Sequence, residues 1–490
     1  MLISVLLILF CIYLWFLNKF SYWKKLGFPY SPGKFLLGSG PGIGITEHPS
    51  YFVKREYEKF KNSAPAFGAY LMAYPILVPT DPDLIRDIFV RKYDIFQNRG
   101  FTVSERADPL SQHLLFKNDD EWKNLRTKLS PTFTSSRMKM MFTNVAAKAD
   151  RMVEYLMPYA EKNESIEMKE IYSSFSTEII ADVAFGIQIK CLGNPENEFR
   201  KMANIVFQPS ILENLKLFFL IAFSRTATFL NIGYTNPEII SFFMKIVKET
   251  LDYRLKNNLE RNDFFQLLMN IYKTDEISFI EFAANSYVFF LAGFETSSSA
   301  MMFSSYELAL NQDIQGRLRT EINEVIAKHN GKVTYEAIME MKYLDMVFNE
   351  SMRKFPIVDL QHRKNLKDYR IPNTNLVIKA GTTIMIPVYC LHNDERFWEN
   401  PDKFDPERFT SENIKKRHAF CYIPFSEGPR QCIGMRFGQM QTKVGLVKLL
   451  LKYKILPCEK TIYPMKFVPN ATFQCPVGGM WLKLEKLENS

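Results

Sequence analysis

One of the seven cysteines, Cys432, stands in a setting that suits a metal ligand. It lies in Phe425-Ser-Glu-Gly428-Pro-Arg430-Gln-Cys432-Ile-Gly434, just before an amphipathic pattern that predicts a helix from Met435 to about Tyr453. Glycine and proline allow the backbone to wrap closely around the sulfur. The helix start and the nearby Arg430 favour a thiolate. The stretch therefore predicts a rigidly held, low-pKa thiolate, and the alternative is a buried structural cysteine.

Glu295 and Thr296 form a second unusual pair, in the run Ala292-Gly293-Phe294-Glu295-Thr296-Ser297. This run lies in the strongest helical pattern, residues 277–310, where a carboxylate is costly to bury without a partner. The Thr296 hydroxyl can bond to the carbonyl four residues earlier and loosen the helix locally. Gly293 leaves space where a side chain would otherwise stand. Taken alone, the run is also compatible with a helix turn on the protein surface.

The cysteine stretch resembles the cytochrome P450 family, the haem-thiolate monooxygenases. The family's F-x-x-G-x-R-x-C-x-G pattern is met at every fixed position, by Phe425, Gly428, Arg430, Cys432 and Gly434. The resemblance implies that Cys432 is the axial ligand of haem b and that Arg430 pairs with a haem propionate. An axial thiolate donates electron density to iron and helps to break the O–O bond of dioxygen.

The run around Glu295 resembles the oxygen-activation motif of the same family, which is Ala or Gly, Gly, any residue, an acid, Thr, and Thr or Ser. The resemblance implies that Glu295 and Thr296, with Gly293 beside them, organise water and deliver protons when dioxygen is activated.

The resemblance extends to a set of structural charges. Glu350-Ser-Met-Arg353 is similar to the family's E-x-x-R element, and Phe404-Asp-Pro-Glu-Arg408-Phe409 is similar to its P-E-R-F element. This implies a buried ion network of Glu350, Arg353 and Arg408 behind the haem. Removing one member of such a network would leave a buried charge without its partner.

Further residues are implied to hold the haem propionates. Trp122-Lys-Asn-Leu-Arg126 resembles the family's W-x-x-x-R helix, with Trp122 and Arg126 on one helix face. Arg99 and Arg363 lie where membrane-bound members place further propionate partners. Two carboxylates that enter a low-dielectric core need fixed cations and hydrogen bonds.

The elements that must position these residues are mostly helical. Apolar periodicity predicts helices near 50–62, 80–93, 119–130, 138–160, 167–186, 240–258, 277–310, 312–329, 341–354 and 433–452. Strand-like pieces are few, at 376–378, 382–388, 463–468 and 480–484. The fold class predicted is mainly α with a minor β-sheet region, as one large P450-like α-rich domain. The glycine-rich run 38–44 matches no phosphate-binding pattern and predicts a connector.

The N-terminus predicts a membrane anchor. Residues 1–17 carry no charged side chain, and three lysines follow by residue 25. A cleaved signal peptide is the alternative, but it requires small residues at the end of the apolar run. We therefore expect a transmembrane anchor at 1–18, a basic, proline-containing linker at 19–33 and the catalytic domain at 34–490. The positive-inside bias places that domain on the cytosolic side of the endoplasmic reticulum membrane, with both N-x-S/T sequons unglycosylated.

Composition narrows the class of partner. The chain has 490 residues, 62 Lys plus Arg against 53 Asp plus Glu, and a net charge of +9. This excess fits an acidic protein or an anionic membrane and is too diffuse to indicate nucleic acid. No nucleotide-binding motif occurs, so electrons must come from outside. The resemblance implies NADPH–cytochrome P450 reductase, with cytochrome b5 as an optional donor, docked on basic residues such as Lys123, Lys415, Lys416 and Arg417.

The leading prediction is NADPH-driven monooxygenation of a lipophilic small molecule, either a xenobiotic or an endogenous lipid or hormone. The chain is similar to insect microsomal P450s that clear xenobiotics. Family position alone suggests a substrate pocket with Phe116, Phe290, Val358 and Phe473. Two alternatives are a haem-thiolate isomerase or dehydratase that acts on peroxides and a membrane-anchored haem-binding protein without turnover. The acid–threonine pair disfavours both.

Overall fold

The computed structural model describes residues 2–101, 103–207, 213, 216, 219–220 and 224–487. Most of this part of the chain is helical. In chain order the α-helices are α1 Leu2–Phe20, α2 Tyr22–Lys25, α3 Pro49–Phe60, α4 Pro82–Arg86, α5 Tyr93–Phe96, α6 Asp119–Leu129, α7 Ser135–Glu161, α8 Met168–Ile180, α9 Glu198–Phe207, α10 Ser224–Phe229, α11 Pro237–Lys256, α12 Phe264–Lys273, α13 Phe279–Leu310, α14 Gln312–Lys328, α15 Tyr335–Glu340, α16 Lys342–Lys354, α17 Val388–His392, α18 Ser411–Lys415 and α19 Met435–Lys452.

The core is built around α13. This helix starts with a capping box, in which Ser278 Oγ accepts the Glu281 N–H and the Glu281 carboxylate accepts the Ser278 N–H. Most of its 32 residues are buried, as expected for a helix that is apolar on all sides. It packs against α8 and α19. Gly445 of α19 permits this close contact, since a Cβ there would lie 2.3 Å from Met301 Cε.

The β-structure is minor and lies beside the helices. The strands are β1 Ala66–Leu71, β2 Tyr74–Pro79, β3 Ile166–Glu167, β4 Gln361–Lys364, β5 Tyr369–Arg370, β6 Val377–Ile378, β7 Thr383–Ile386, β8 Tyr453–Pro457 and β9 Trp481–Lys486. They form three sheets, in the orders β1-β2-β7-β4, β3-β9-β8 and β5-β6. The β2–β7 pair is parallel and the other pairs are antiparallel. The predicted class, mainly α with a minor β region, is confirmed.

The prediction of single elements failed for most of the short strands. Residues 463–468 are not a strand and contain only an isolated bridge from Phe467 to Pro476. Pro464 has no N–H to donate to a ladder, which weakens any strand there. The strands that were not predicted are β1, β2, β3, β4, β5 and β8. Among the helices of ten or more residues, α9 and α12 were not predicted, because a short apolar run does not by itself distinguish a helix from a buried strand.

The N-terminal segment differs from the predicted division into anchor, linker and domain. Within α1, Ile3–Phe20 has a mean hydropathy of 2.1 and is long and apolar enough to cross a membrane. The predicted linker, 19–33, instead packs against the body: Trp23 is fully buried and its Nε1 donates to the Ala69 carbonyl at 3.0 Å. Gly68 permits this contact, because a Cβ would lie 2.2 Å from the indole. The folded body therefore begins near Tyr22 and not at residue 34.

Candidate functional site

The loop that carries Cys432 is held in place by its own backbone. The Cys432 N–H donates to the Phe425 carbonyl at 2.9 Å. Gly428 has a φ of 72°, and a Cβ on it would lie only 2.1 Å from the Phe89 carbonyl oxygen. Glycine is therefore required at this position by both the backbone conformation and the contact.

The Cys432 sulfur faces an internal cavity. Its side chain is accessible to solvent although protein atoms surround it. Burial raises the pKa of the Cys432 thiol, and the Gly434 N–H, Arg99 and Arg126 only partly oppose this rise. The predicted low pKa is therefore wrong for the protein alone, because desolvation outweighs the favourable charges. A metal ion that binds the sulfur would itself deprotonate the thiol.

Arg430 is buried with its hydrogen-bonding capacity only partly used. Its Nη2 donates to the Lys117 carbonyl at 3.0 Å, and its guanidinium lies 4.3 Å from the centroid of the Trp122 ring. Nε and Nη1 have no well-formed hydrogen bond to the described residues. Burial lowers the pKa of Arg430, partly offset by the neighbouring Tyr93 hydroxyl. A buried cation with free donors is expected to have an anionic partner.

Three more arginines converge on the same place. Arg99 Nη2 lies 3.4 Å from the Arg430 carbonyl oxygen, and Arg363 Nη2 donates to the Ser426 hydroxyl at 3.2 Å. Burial lowers the pKa of Arg99 to about 10 and also lowers the pKa of Arg363, with repulsion between the arginines second. Burial lowers the pKa of Arg126 as well. We call Arg99, Arg126, Arg363 and Arg430 the arginine cradle.

The cradle is assembled from distant segments. The Lys364 N–H donates to the Asn98 carbonyl at 2.8 Å, which sets Arg363 of β4 beside Arg99. Arg126 comes from α6, one turn after Trp122. No member of the cradle forms an ion pair with a carboxylate in the described part of the chain. Asp119 attracts Arg430 without forming an ion pair, but the clustered cations still repel one another, so an anionic ligand is expected to stabilise the cradle.

The predicted structural charges are also brought together. Arg353 donates to both Glu350 carboxylate oxygens, at 2.7 and 2.9 Å, and Arg408 Nε lies 3.4 Å from Glu350 Oε1. Arg353 also donates to the carbonyls of His392 and Pro401. Glu350 and Arg353 have no exposed surface. We call Glu350, Arg353 and Arg408 the Glu350 network.

The middle of α13 carries the acid–threonine pair. The Thr296 hydroxyl donates to the Ala292 carbonyl at 2.5 Å, which is the predicted bond to the residue four positions earlier. Ala292 and Thr296 keep accessible surface while Phe294 and Glu295 are buried, so this side of α13 borders a cavity. Burial raises the pKa of Glu295, and Lys169 of α8, whose Nζ is 3.5 Å from Glu295 Oε1, opposes the rise.

Comparison of the sequence with known proteins identifies the family. The family model described as Cytochrome P450 matches residues 29–481. The chain belongs to the cytochrome P450 family. Probable cytochrome P450 6a13 of Drosophila melanogaster is 40% identical over 472 residues, which is 96% of this chain and 95% of the relative. Cytochrome P450 6A1 of Musca domestica is 37% identical over 480 residues, covering 96% and 94%. P450s are in general haem-thiolate monooxygenases, and the similarity to insect members is confirmed.

The residues of this P450 fit the haem that its family implies. A haem carries two propionates, and the cradle offers four cations, none of which forms an ion pair with a carboxylate of the described residues, with two nitrogens of Arg430 unpartnered. An axial ligand must present a free lone pair toward a cavity, as the accessible Cys432 sulfur does. The site therefore has both the ligand and the counter-charges that the cofactor requires.

Two glycines of the predicted site do something other than expected. Gly293 faces α8, since a Cβ there would lie 2.4 Å from Ile180 Cδ1. It therefore allows close packing of the two helices, and the space predicted beside it is filled by Ile180. A Cβ on Gly434 would meet no protein atom nearer than Phe133 Cε1, at 3.9 Å. Protein packing alone does not explain glycine at 434.

The four predicted pocket residues separate into two groups. Phe290 has no exposed surface and packs within 6.3 Å of the ring centroids of Phe185 and Phe243, so it belongs to the core and the prediction is wrong for it. Phe116, Val358 and Phe473 are only partly buried. Phe116 contacts Tyr234 at 5.5 Å between centroids, and Phe473 contacts Phe207 at 5.8 Å.

Tyr93 and Lys169 were missed by the sequence analysis. Burial raises the pKa of Tyr93, and the neighbouring Arg430, which the Tyr93 hydroxyl approaches, opposes the rise together with the charges of Arg363 and Arg126. Lys169 contacts Glu295 from the first turn of α8. Neither residue stands in a distinctive sequence pattern, so only their spatial neighbours identify them.

The basic residues suggested for partner docking are not equivalent. Lys123 and Lys415 are exposed, whereas Lys416 pairs with Glu412 at 2.6 Å. The Arg417 guanidinium lies 4.2 Å from the centroid of the Trp398 ring, and its Nη1 donates to the Arg408 carbonyl. Arg417 is therefore a structural residue and is not free to bind a partner.

Proposed function

We propose that this P450 inserts one oxygen atom from O2 into a lipophilic small molecule, a xenobiotic or an endogenous lipid or hormone. Its electrons come from NADPH through a separate NADPH–cytochrome P450 reductase, with cytochrome b5 as a second donor. The observation that carries the proposal is the combination of an anion-requiring cradle around Cys432 with a buried acid beside Thr296 on α13. A haem-binding protein without turnover needs the first of these and not the second.

Separate residues of the chain would hold the haem iron and the haem propionates. When bound, the haem supplies the iron at which dioxygen is reduced and split. Cys432 would ligate the iron, and the backbone bond from its N–H to the Phe425 carbonyl holds the loop that carries the sulfur. The cradle, with Trp122, would neutralise and orient the propionates. Each charge-assisted bond of this kind contributes about 1.5–3 kcal/mol.

Glu295 and Thr296 would hold and transfer protons from the middle of α13. Burial raises the pKa of Glu295, so its carboxyl keeps a proton to higher pH than an exposed glutamate does. The Thr296 hydroxyl, bonded to Ala292, presents an oxygen lone pair that can hold a water molecule. Together they supply a proton donor and a water anchor next to a cavity in a region of low dielectric.

The substrate class follows from the aromatic surroundings. Phe116, Val358 and Phe473 are partly buried apolar side chains, which favour lipophilic molecules. The apolar run of α1 supports single-pass anchoring in the endoplasmic reticulum membrane with the catalytic domain in the cytosol. Lipophilic substrates concentrate in such a membrane.

The absorption spectrum of the reduced, carbon-monoxide-treated protein tests the thiolate ligand. Cys432→Ala should abolish the thiolate-type band. Cys421→Ala is the matched control, because the Cys421 thiol donates to the nearby His418 carbonyl and its loss should leave the band intact. Haem-loaded protein in which a histidine binds the iron would refute the proposal.

Turnover with reductase, NADPH and a lipophilic probe tests the reaction. Thr296→Ala should keep the carbon-monoxide band and divert reducing equivalents to peroxide. Product formed from a peroxide without reductase would indicate an isomerase or dehydratase. NADPH consumption or haem binding with no oxygenated product from any probe would indicate a haem-binding protein.

A further inference from the structure

Lys169, in the first turn of α8, lies between an acid and a thiol. Its Nζ donates to Cys475 Sγ at 3.0 Å and lies 3.5 Å from Glu295 Oε1. The Met168 N–H donates to the Met480 carbonyl at 2.7 Å, which places the start of α8 against the C-terminal segment that holds Cys475. The sulfur is therefore the nearer of two competing partners for one ammonium group.

The loop that carries Cys475 is fixed at both ends. The Val468 N–H donates to the Cys475 carbonyl at 2.8 Å, and Phe467 pairs with Pro476 as an isolated bridge. Phe473, in the same loop, contacts Phe207. The loop thus places Phe473 against the Phe207 ring and Cys475 against the Lys169 ammonium, which lies beside Glu295.

The other charged groups near Glu295 are already engaged. Arg200 of α9 pairs with Glu170 at 2.5 Å, so only part of its charge acts on Glu295. Glu167, which acts on Lys169, accepts the N–H groups of Glu170 and Met480, each at 2.7 Å. Lys169 can therefore shift between Glu295 and Cys475, whereas Arg200 and Glu167 are held by other partners.

We propose that Cys475 is a positioning residue for proton transfer, whose sulfur holds the Lys169 ammonium back from full contact with Glu295. The inference depends on the proposed function, in which Glu295 relays protons. A cation in full contact stabilises a carboxylate and lowers its pKa by roughly 1–3 units. By sharing Lys169, Cys475 keeps the Glu295 carboxyl protonated to a higher pH than full contact with the ammonium would allow.

The consequence is a shift in pH dependence that can be measured. In Cys475→Ala the ammonium turns fully to Glu295, so the protonated acid is lost at lower pH. In a plot of product formed per NADPH consumed against pH, the fall at high pH (the alkaline limb) should move to lower pH. The fraction of NADPH that ends as peroxide should rise. Cys475→Ser retains an acceptor and should restore the wild-type limb. Lys169→Met removes the cation and should move the limb to higher pH by roughly one unit.

The experiment uses the haem-loaded, full-length chain with reductase, and each variant is first checked for an unchanged carbon-monoxide band. Cys458→Ala is the matched control: Cys458 is also half-buried, but it contacts Thr461. This variant should leave the limb in place.

Two outcomes overturn the inference, and they are distinguishable. If Glu295→Gln removes the limb while Cys475→Ala coincides with wild type, Cys475 has no positioning role and the proposed function stands. If Glu295→Gln leaves both the limb and the coupling unchanged, Glu295 is not the relay. The inference then fails together with that part of the proposed function.

Discussion

The protein contains two clusters of buried arginine that differ in how their charge is balanced. In the Glu350 network, Arg353 makes a bidentate pair with a carboxylate and donates to two backbone carbonyls. In the arginine cradle, Arg430 donates to one carbonyl and keeps two nitrogens unused, and no carboxylate pairs with any member among the described residues. The first cluster contains its own counter-charge, whereas the second is expected to need an anionic ligand.

This contrast agrees with the proposed division between residues that stabilise the fold and residues that would bind the cofactor. Each cluster contains an almost fully buried arginine, Arg353 in one and Arg430 in the other, so burial alone does not identify a binding site. What distinguishes them is the carboxylate: Glu350 pairs with both arginines of its network, whereas no member of the cradle forms an ion pair with a carboxylate of the described residues. Arg430 also has two buried nitrogens without a hydrogen-bond partner, against one, Nε, on Arg408.

The largest expected effect is on the Glu350 network. Glu350→Gln leaves the Arg353 and Arg408 charges without a carboxylate, and we expect the free energy of unfolding to fall by about 3–5 kcal/mol. Denaturant unfolding followed by far-ultraviolet circular dichroism measures this change. Glu412→Gln, which removes an exposed pair with Lys416, should have little effect. Similar unfolding midpoints for the two variants would contradict the distinction drawn between the clusters.

Gly428→Ala tests the loop that connects Cys432 to the cradle. The φ of 72° and the contact with the Phe89 carbonyl are both unfavourable for a side chain, and we expect a loss of about 1–3 kcal/mol with reduced haem incorporation. Gly331→Ala has a similar φ, 75°, and no neighbour within 4 Å, so it isolates the conformational part. Equal losses in the two variants would show that the Phe89 contact is unimportant.

Arg430→Met tests the cradle directly, because it removes a cation that forms no ion pair with a carboxylate of the described residues. We expect haem affinity to fall by about 10–100-fold, the equivalent of one charge-assisted hydrogen bond. With excess haem present, the unfolding midpoint should change less than in Glu350→Gln. Transfer of haem to an excess of an acceptor protein measures the first quantity. Unchanged haem transfer with a large loss of stability would place Arg430 among the structural charges.

The smallest effect concerns pH. Burial, followed by repulsion from Arg363 and Arg99, lowers the pKa of His362 to about 4. The folded state therefore binds this proton less readily than the unfolded chain, and the stability due to neutral His362 is lost as the pH falls from about 6.5 to about 4. His362→Gln should make the unfolding midpoint less dependent on pH over that range than it is in the wild type. Parallel pH profiles of the two proteins would show that burial and the cradle arginines do not lower the pKa of His362.

Much of the site could be predicted from the sequence because its members stand in short, spaced patterns. Cys432, Arg430 and Gly428 belong to one loop, and Glu295 and Thr296 are adjacent. Trp122 with Arg126 and Glu350 with Arg353 occur at helical spacing, so local periodicity is enough to place each pair on one face. The prediction failed where a residue's role depends on what packs against it: Phe290 is core, Gly293 contacts Ile180, and residues 19–33 are part of the folded body.

By itself, the sequence determined the family and the fold class and predicted the ligand loop, because local backbone preferences and residue spacing carry that information. Only the tertiary structure decided the charge balance. It showed that burial raises the pKa of the Cys432 thiol, that the four cradle arginines form no ion pair with a carboxylate of the described residues, and that Lys169 is shared between Glu295 and Cys475. These properties arise from desolvation and from contacts between segments far apart in the chain, and no short sequence pattern encodes them.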